Sequence, residues 1–554
     1  MSVKNREQVK FFFIYCGDES VKSEFWHSHL AMEMNIEYQT IEGGNNMKYN
    51  NPIISGYNPD PSICRVGEDY YLVNSSFEYF PGVPIYHSRN LANWELTGHC
   101  LSEKAQLDLE GCRSSGGIYA PTLRYHEGTF FMTTTNVSGK GNFIVHTRDI
   151  GGKWSEPVWI DQGGIDPSLL FDEDGRVYFA SAASDSAGRA AILMCEINPF
   201  TGEKRTESRV ISYGCGGRYP EGPHLYKWFG KYYLMLAEGG TEYGHMETLL
   251  RSDNPYGPFE ECPHNPILTH RDDMRGEIHA TGHADILEDH NGNWWLVCLG
   301  IRTCQKRSSS VMLHNLGRET FLTPVSWGAD GWLEVGEKGR ISLEMEGKLP
   351  GTPEPVSRDF QDNYSVIQGS PHYNFLRNPS AENYYRDTDR KRLVLKGTKV
   401  TLNEVASPTW IGVRQKDFDV RATVKAELLQ AETGVRAGLT AFYNEAYHYE
   451  IYLTREGEKN KVCLAKHVHD IFTVTAFSEL PEGTPVFLRI EADDTWYCFL
   501  YSLDGVEFSE LGRGLTVGLC TEGTKTMTFT GTYIGLFAEN GEAAFQNFEV
   551  EVLS

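Results

Sequence analysis

The chain has 554 residues, more than one hydrophobic core can organise, so two or three domains are expected. Hydrophobic residues make up 40% of it and aromatic residues 12%, a composition typical of a folded, sheet-rich protein. The 75 acidic and 51 basic residues give a net charge of −24, which excludes nucleic acid and an anionic membrane as partners, because neither attracts a strongly negative surface.

Residues 1–46 lack the patterning of the rest of the chain. They end in a polar run, and Met47 directly precedes the first patterned unit. We interpret this segment as an N-terminal extension, either a poorly ordered tail or a mis-called start upstream of Met47. Its apolar stretch at residues 11–16 is too short for the core of a signal peptide.

The twelve cysteines are scattered along the chain and include no Cys-x-x-Cys pair. Several lie in apolar strand patterns, where a thiol acts as a small hydrophobic group. A disulfide framework is unusual in a chain of this length. Reduced thiols and a cytoplasmic location are therefore predicted.

Residues 47–350 repeat one pattern five times, at intervals of about 45 to 60 residues. Each copy opens on a short motif and continues, after a glycine-containing turn, into an apolar strand with aromatic residues. The openings are Asp60-Pro61-Ser62-Ile63, Ala120-Pro121-Thr122-Leu123, Asp166-Pro167-Ser168-Leu169, Gly222-Pro223-His224-Leu225 and Gly282-His283-Ala284-Asp285. Repeats of this kind are typical of propeller blades, whose equivalent positions converge on one axis.

A segment rich in proline and glycine, residues 347–355, follows the repeats and is interpreted as a linker. Residues 356–554 then show many short alternating strands, which are typical of a two-sheet antiparallel sandwich. The predicted fold is all-β. It comprises a five-bladed β-propeller over residues 47–350 and a C-terminal β-sandwich of concanavalin-like, jelly-roll type over residues 356–554.

Three of the repeats carry a carboxylic acid at or beside the opening position: Asp60, Asp166 and Glu221. Taken alone, Asp60 would be an ordinary turn residue and Glu221 an exposed loop residue. Asp166 repeats the Asp-Pro-Ser motif of Asp60 at the same register, which favours a shared role. Three acids in one pocket suit glycoside hydrolysis, in which one must be protonated and another ionised.

Six stretches in chain order carry a family resemblance. They are Asn51-Pro52-Ile53-Ile54-Ser55-Gly56-Tyr57-Asn58-Pro59-Asp60-Pro61-Ser62-Ile63, Phe80-Pro81-Gly82-Val83, Ser115-Gly116-Gly117-Ile118-Tyr119-Ala120-Pro121, Glu221-Gly222-Pro223-His224, Ala237-Glu238-Gly239-Gly240-Thr241 and Leu316-Gly317-Arg318-Glu319-Thr320. Together they resemble glycoside hydrolase family 43, in particular its β-xylosidases, which also carry a C-terminal β-sandwich. The resemblance implies hydrolysis with inversion, with Asp60 as general base and Glu221 as general acid. It further implies that Asp166 orients the acid and, as a neighbouring anion, raises its pKa.

The resemblance also assigns substrate-binding residues. Arg318 matches an arginine that binds sugar hydroxyls; the alternative is a salt bridge to Glu319 or another acid. Phe80 aligns with an aromatic wall of the sugar site, and Tyr119 stands where relatives often have tryptophan. Phe529 resembles a capping residue from the C-terminal domain, although the preceding residue departs from the family pattern.

His283 belongs to the opening motif of the fifth repeat and is expected to point to the axis. It could hydrogen-bond the carboxylates, or it could be a structural histidine. The corresponding histidine of several family members lies near a central calcium, so the resemblance leaves Ca²⁺ open at this position. No cofactor is otherwise expected.

The favoured function is an exo-acting β-1,4-xylosidase that releases xylose from the non-reducing ends of xylo-oligosaccharides. The alternatives are an α-L-arabinofuranosidase, an enzyme with both activities, a non-catalytic carbohydrate-binding propeller and a retaining enzyme acting on fructosides. Because relatives commonly form dimers or tetramers, the resemblance also implies a homo-oligomer.

Overall fold

The computed structural model describes residues 45–273, 276–304, 312–366, 369–429, 434–481 and 484–553. The interpretation of residues 1–46 thus lies outside the described residues, apart from residues 45 and 46. Three short 3-10 turns interrupt an otherwise all-strand structure: Ala381–Asn383, Thr516–Leu519 and Thr521–Gly523. Within the described ranges no helix has the length and apolarity needed to cross a membrane.

The N-terminal half contains five antiparallel sheets that follow one another along the chain. Its strands are β1 (Met47–Asn50), β2 (Ser62–Val66), β3 (Asp69–Val73), β4 (Tyr79–Phe80), β5 (Gly82–Ser88), β6 (Glu95–Leu101), β7 (Thr122–His126), β8 (Thr129–Asn136), β9 (Gly141–Thr147), β10 (Val158–Trp159), β11 (Ile165–Phe171), β12 (Val177–Ser184), β13 (Ala190–Glu196), β14 (Arg209–Ser212), β15 (Glu221–Trp228), β16 (Lys231–Glu238), β17 (Met246–Ser252), β18 (Glu260–Glu261), β19 (Leu268–Thr269), β20 (Ile278–Glu288), β21 (Trp294–Arg302), β22 (Glu319–Trp327), β23 (Leu333–Val335) and β24 (Glu344–Gly347). The sheets have the strand orders β2-β3-β5-β6, β7-β8-β9-β10, β11-β12-β13-β14, β15-β16-β17-β18 and β20-β21-β22-β23, with β19 beside β17.

The first strands of the five sheets form a closed ring. Strand β2 contacts β7, β7 contacts β11, β11 contacts β15, β15 contacts β20, and β20 contacts β2 again. Pairing of β1 with β24 joins the beginning of this half to its end. The sheets are therefore propeller blades, and the first strand of each lies at the central axis.

Apolar layers between neighbouring blades hold the propeller together. Phe131 and Ile144 of the second blade, for example, pack with Leu169 and Phe179 of the third. Because both faces of a blade are covered, strands such as β8 are buried along their whole length. This explains why the sequence shows apolar runs in these strands as well as strict alternation.

The C-terminal half is a sandwich of two antiparallel sheets. Its strands are β25 (Phe360–Asp362), β26 (Phe375–Leu376), β27 (Tyr384–Asp387), β28 (Arg392–Lys396), β29 (Thr409–Arg414), β30 (Val420–Leu428), β31 (Arg436–Asn444), β32 (Tyr447–Glu456), β33 (Lys459–Val468), β34 (Ile471–Leu480), β35 (Val486–Ala492), β36 (Trp496–Ser502), β37 (Ser509–Leu515), β38 (Tyr533–Glu539) and β39 (Glu542–Val552). One sheet has the order β27-β28-β39-β30-β35-β36-β37 with β25 on β39, and the other has the order β29-β38-β31-β32-β33-β34. Inward-facing residues of both sheets form one core. The predicted all-β architecture of propeller and sandwich is confirmed.

The two halves belong to one compact unit that spans residues 44–554. Strand β26 of the sandwich half pairs with β4 of the first blade. The fully buried Arg377 side chain donates from Nε to the carbonyl oxygen of Cys112 in the propeller half at 2.5 Å and forms an ion pair with Glu445 of its own half. The Thr532 N–H donates to the carbonyl oxygen of Asn315 at 2.8 Å, so the segment before β38 lies beside the loop that carries Arg318.

Candidate active site

The backbone at the axis takes the same left-handed conformation in four blades. Asp60, Asp166, Gly222 and His283 occupy equivalent positions in four blades, and their φ angles are 53°, 53°, 55° and 50°. Strands β11, β15 and β20 each shift register at this point, as in a β-bulge. A left-handed residue at a bulge re-aims the side chain, and it costs about 1–3 kcal/mol for a residue other than glycine. Four blades therefore share a left-handed residue at the same position, which directs the chain toward the axis.

Asp60 is buried and surrounded by groups that favour its charged form. Its Oδ1 accepts a hydrogen bond from Arg318 Nη1 at 2.8 Å, and His283 Nδ1 lies 3.7 Å from the same oxygen. Its Oδ2 accepts a hydrogen bond from the Ser75 hydroxyl. Burial opposes ionisation, but Arg318, together with the hydrogen bond from Ser75, outweighs it and holds the pKa of Asp60 below its usual value. Asp60 is therefore an anion at neutral pH.

The pKa values of Asp166 and Glu221 shift in the opposite direction. Burial, and after it the anionic Asp60, raises the pKa of Glu221 to about 7. Burial and then the neighbouring Glu221 raise the pKa of Asp166 well above its usual value, although the Gly222 N–H donates to Asp166 Oδ2 at 3.2 Å. One carboxylate of the three is therefore ionised while the others hold protons near neutrality.

The family resemblance assigns Asp166 the role of orienting the acid and raising its pKa, and this role stays a prediction. The pKa of Asp166 is itself raised by burial and by Glu221. Asp166 is 7% exposed, whereas Glu221 is half-buried. The structural origin of the Glu221 shift is burial first and Asp60 second.

Arg318 connects Asp60 of the propeller to the sandwich domain. In addition to Asp60, its Nη1 donates to Thr241 Oγ1 at 3.1 Å, and its Nη2 donates to the carbonyl oxygen of Phe529 at 3.1 Å. The expected alternative partner, Glu319, instead pairs with Arg302 at 2.8 Å. The Nε atom of Arg318 is buried and has no hydrogen-bond partner among the described residues. The guanidinium can therefore exchange or add partners when a ligand enters.

His283 reaches the axis as expected. Its ring lies against Gly222, where an added Cβ would be 3.1 Å from Nε2. Burial lowers the pKa of His283, so the ring is neutral at physiological pH. The described residues contain no group of three or more histidine, cysteine or acidic side chains arranged to hold a metal. The calcium that the resemblance leaves open near His283 stays a prediction.

The aromatic wall of the site is formed by Phe77, Tyr119 and Phe529. The ring centroid of Phe77 lies 5.2 Å from that of Tyr119 and 5.8 Å from that of Phe529, and the Arg318 guanidinium lies 5.6 Å from the Phe77 ring. Tyr119 and Phe529 thus occur where they were expected. Phe80 does not: it lies in β4, and its side chain packs on the core of the first two blades.

Phe529 is held in place by the propeller. Its N–H donates to Ser115 Oγ at 2.9 Å, and the Tyr119 hydroxyl donates to the carbonyl oxygen of Ser115 at 3.2 Å. The hydroxyl of the preceding residue, Thr528, is buried and hydrogen-bonded to Thr521 at 2.7 Å. Thr528 therefore anchors the segment, and Phe529 is the residue that contacts the site.

Sequence reasoning missed Phe77, Ser75, Thr241 and His245. Thr241 could have been found, because it ends one of the six family-like stretches. His245 contacts Gly282, where an added Cβ would lie 2.4 Å from the imidazole ring, and burial lowers its pKa to about 3. Neither Ser75 nor His245 lies in a repeated motif, so their contacts with the axis become visible only in three dimensions.

Comparison with known proteins agrees with this geometry. Residues 49–333 match the profile described as glycosyl hydrolases family 43. Residues 361–551 match the profile described as the beta-xylosidase C-terminal concanavalin A-like domain. The two matches correspond to the propeller and to the sandwich.

Relatives cover nearly the whole chain. A non-reducing end α-L-arabinofuranosidase of Bacteroides ovatus is 40% identical over 505 residues, which is 89% of this chain and 92% of that protein. A β-xylosidase of Bacillus subtilis is 32% identical over 85% of this chain and 92% of its own length. The crystal structure of a xylan β-1,4-xylosidase from Bacillus halodurans superimposes with a TM-score of 0.86 at 32% identity, covering 91% of this chain and 100% of that one. With the propeller and the sandwich both matched, the chain belongs to glycosyl hydrolases family 43.

Proposed function

We propose that this glycoside hydrolase is an exo-acting, inverting β-xylosidase that removes xylose from the non-reducing ends of xylo-oligosaccharides. The observation that carries the proposal is the convergence of Asp60, Asp166 and Glu221 next to Arg318, with the pKa of Asp60 lowered and that of Glu221 raised to about 7. An inverting hydrolase needs this combination, because its base and acid act in the same step. The names of several relatives, β-xylosidases among them, support xylose as the sugar.

In this mechanism Glu221 gives its proton to the glycosidic oxygen as the bond to the anomeric carbon breaks. Water attacks the anomeric carbon from the opposite side, and Asp60 accepts the proton that the water loses. The products are xylose of inverted configuration and a shortened oligosaccharide with a free hydroxyl. Asp166 accepts the N–H of Gly222, the residue after the acid, and thereby positions Glu221. Because acid, base and water suffice, the reaction needs no cofactor.

Arg318 and the aromatic wall account for binding at the end of a chain. Nη2 of the guanidinium gives one N–H to Phe529 and has a second N–H available for a hydroxyl of the terminal sugar. Phe77 and Phe529 lie on the same side of Arg318, and Phe529 comes from the sandwich domain. A pocket closed by a second domain suits removal of single sugars and disfavours cleavage inside a polymer.

The second candidate function is α-L-arabinofuranosidase, either alone or together with the first. It is favoured by one observation, the printed activity of the relative that is 40% identical. Measurement of kcat/KM on the 4-nitrophenyl β-D-xylopyranoside and α-L-arabinofuranoside distinguishes the two. A preference for the xyloside is expected; a large preference for the arabinoside would overturn the first assignment.

Stereochemistry tests the mechanism independently. Proton NMR of 4-nitrophenyl β-D-xylopyranoside hydrolysis should detect α-xylose first, followed by slower mutarotation. First-formed β-xylose would contradict inversion and favour a retaining enzyme.

We further propose a cytoplasmic location and a homo-oligomer. The support for the location is that nine of the eleven described cysteines are buried as free thiols. The support for oligomerisation is the resemblance alone. Fractionation of the native host and light scattering of the purified protein test these two proposals. A secreted protein or a monomer at micromolar concentration would contradict them.

A further inference from the structure

An exposed aromatic residue precedes the acid in the chain. Tyr219 lies two residues before Glu221, and 60% of its surface is exposed. Its φ is +53°, a left-handed conformation that a bulky residue adopts only when its surroundings impose it. The mechanism derived above makes no use of this side chain.

The surroundings do impose this conformation. Glu238 is fully buried, and its two carboxylate oxygens accept the N–H groups of Cys215 at 2.7 Å and Gly217 at 2.6 Å. The N–H of Gly239 donates to the carbonyl oxygen of Arg218 at 2.7 Å. Glu221, on the other side of Tyr219, pairs with Ala237 in the sheet. The loop that carries Tyr219 is thus fastened to the Ala237–Thr241 stretch on both sides, so the ring is held in place before any ligand arrives.

The same contacts locate the ring at the mouth of the site. A Cβ added to Gly240 would lie 3.4 Å from Cδ2 of Tyr219, so the ring rests on Gly240. The next residue, Thr241, accepts a hydrogen bond from Arg318. The ring therefore stands between the segment that carries the acid, Glu221, and the segment that anchors the sugar-binding arginine.

Polar groups accompany the ring. The Arg218 guanidinium lies 5.4 Å from the centroid of the Tyr219 ring, and its Nη2 lies 3.7 Å from the Glu242 carboxylate. Both charged side chains are more than half exposed. An aromatic face flanked by exposed donors and acceptors can contact a pyranose, which presents C–H groups on its faces and hydroxyls at its edge.

We propose that Tyr219, together with Arg218 and Glu242, forms the binding site for the leaving-group sugar. Glu221 protonates the oxygen that departs with this sugar, so the sugar must lie on the side of the pocket that carries Glu221. The ring of Tyr219 is the exposed aromatic surface next to that side. This inference rests on the proposed function and adds to it a preference for leaving groups that are themselves pyranoses.

The test compares two substrates with the same xylosyl group. Xylobiose has a xylose leaving group, whereas β-D-xylopyranosyl fluoride releases only fluoride and cannot contact the ring. The informative variants are Tyr219→Asn, which removes the ring but tolerates a left-handed backbone, and Tyr219→Phe, which keeps the ring. Phe229→Asn is the matched control, because Phe229 has a φ of +51°, is 64% exposed and lies at the other end of β15.

Tyr219→Asn should lower kcat/KM on xylobiose about tenfold, as expected when one sugar face loses its apolar contact, and leave the fluoride within about twofold. Tyr219→Phe and Phe229→Asn should match the wild type on both substrates. An equal loss on both substrates, or no loss on either, would overturn the leaving-group site. A wild-type enzyme that cleaves the arabinofuranoside but neither xylosyl substrate would instead overturn the proposed function, and the site with it.

Discussion

Arg318 and Asp60 form a buried ion pair at the propeller axis, with Nη1 2.8 Å from Oδ1 and only 9% and 5% of their side chains exposed. The pair links the two roles of the site, because Arg318 both stabilises the anionic base and presents donors to the substrate. Its second nitrogen, Nη2, binds the carbonyl oxygen of Phe529, so the same side chain also joins the propeller to the sandwich.

Replacement of this arginine by lysine should therefore affect binding more than folding. Arg318→Lys keeps the positive charge near Asp60 but loses the planar pair of donors, so kcat/KM on xylobiose should fall by roughly 10²- to 10³-fold with a raised KM. Steady-state kinetics and circular dichroism measure the two effects. A variant with unchanged KM and near-native kcat would show that Arg318 does not hold the sugar.

The pH dependence of kcat/KM follows from the opposite pKa shifts of the base, Asp60, and the acid, Glu221. Activity requires deprotonated Asp60, whose pKa is lowered, and protonated Glu221, whose pKa is about 7. The kcat/KM profile on xylobiose should therefore be flat through the weakly acidic range and fall as pH rises through about 7. The apparent value belongs to the coupled pair of Glu221 and Asp166.

Xylosyl fluoride provides the control for this profile, because fluoride leaves without a proton. The alkaline fall should disappear on this substrate, while the acidic fall, caused by protonation of Asp60, should remain. An alkaline limb at the same pH on both substrates would assign it to a group other than the acid.

The aromatic wall can be tested with two phenylalanines that lie three residues apart. Phe77→Ala removes the ring next to Arg318 and Tyr119 and should raise KM on xylobiose about tenfold or more. Phe80→Ala removes a ring that packs on the blade core, and it should lower the melting temperature while leaving KM near the wild-type value. The reverse result would restore Phe80 as the wall.

Arg377 joins the two domains, because its fully buried side chain donates from Nε to the carbonyl oxygen of Cys112 in the propeller while it forms an ion pair with Glu445 in the sandwich. Arg377→Met leaves Glu445 without its partner and should reduce the free energy of unfolding by about 3–5 kcal/mol. Chemical denaturation measures the loss. Lys459→Met is the control, because its pair with Glu479 is exposed and should contribute little. Equal effects of the two changes would contradict a structural role for Arg377.

The repeat in the sequence was sufficient to identify the carboxylates. Asp60 and Asp166 share a motif and a register, and the structure gives both the same left-handed backbone and brings them to the axis beside Glu221. The repeat predicts the position of these residues, because every blade places the same turn at the same distance from the axis.

Other parts of the site depend on contacts that no local pattern encodes. Phe77, not Phe80, faces Arg318, because the backbone of Phe77 takes a φ of +47° and bridges to the next blade at Ile118. The direction in which the pKa of Asp166 shifts likewise depends on the burial of its side chain, which a motif does not reveal. Phe529 could be named from the sequence, but its attachment through Ser115 could not.

The most direct test of the account measures kcat of Asp60→Ala and Glu221→Ala on xylobiose and on β-D-xylopyranosyl fluoride. Loss of the acid should reduce turnover of xylobiose by roughly 10³-fold and spare the fluoride, whereas loss of the base should abolish most turnover of both. Near-native turnover of xylobiose by either variant would contradict the assignment of acid and base.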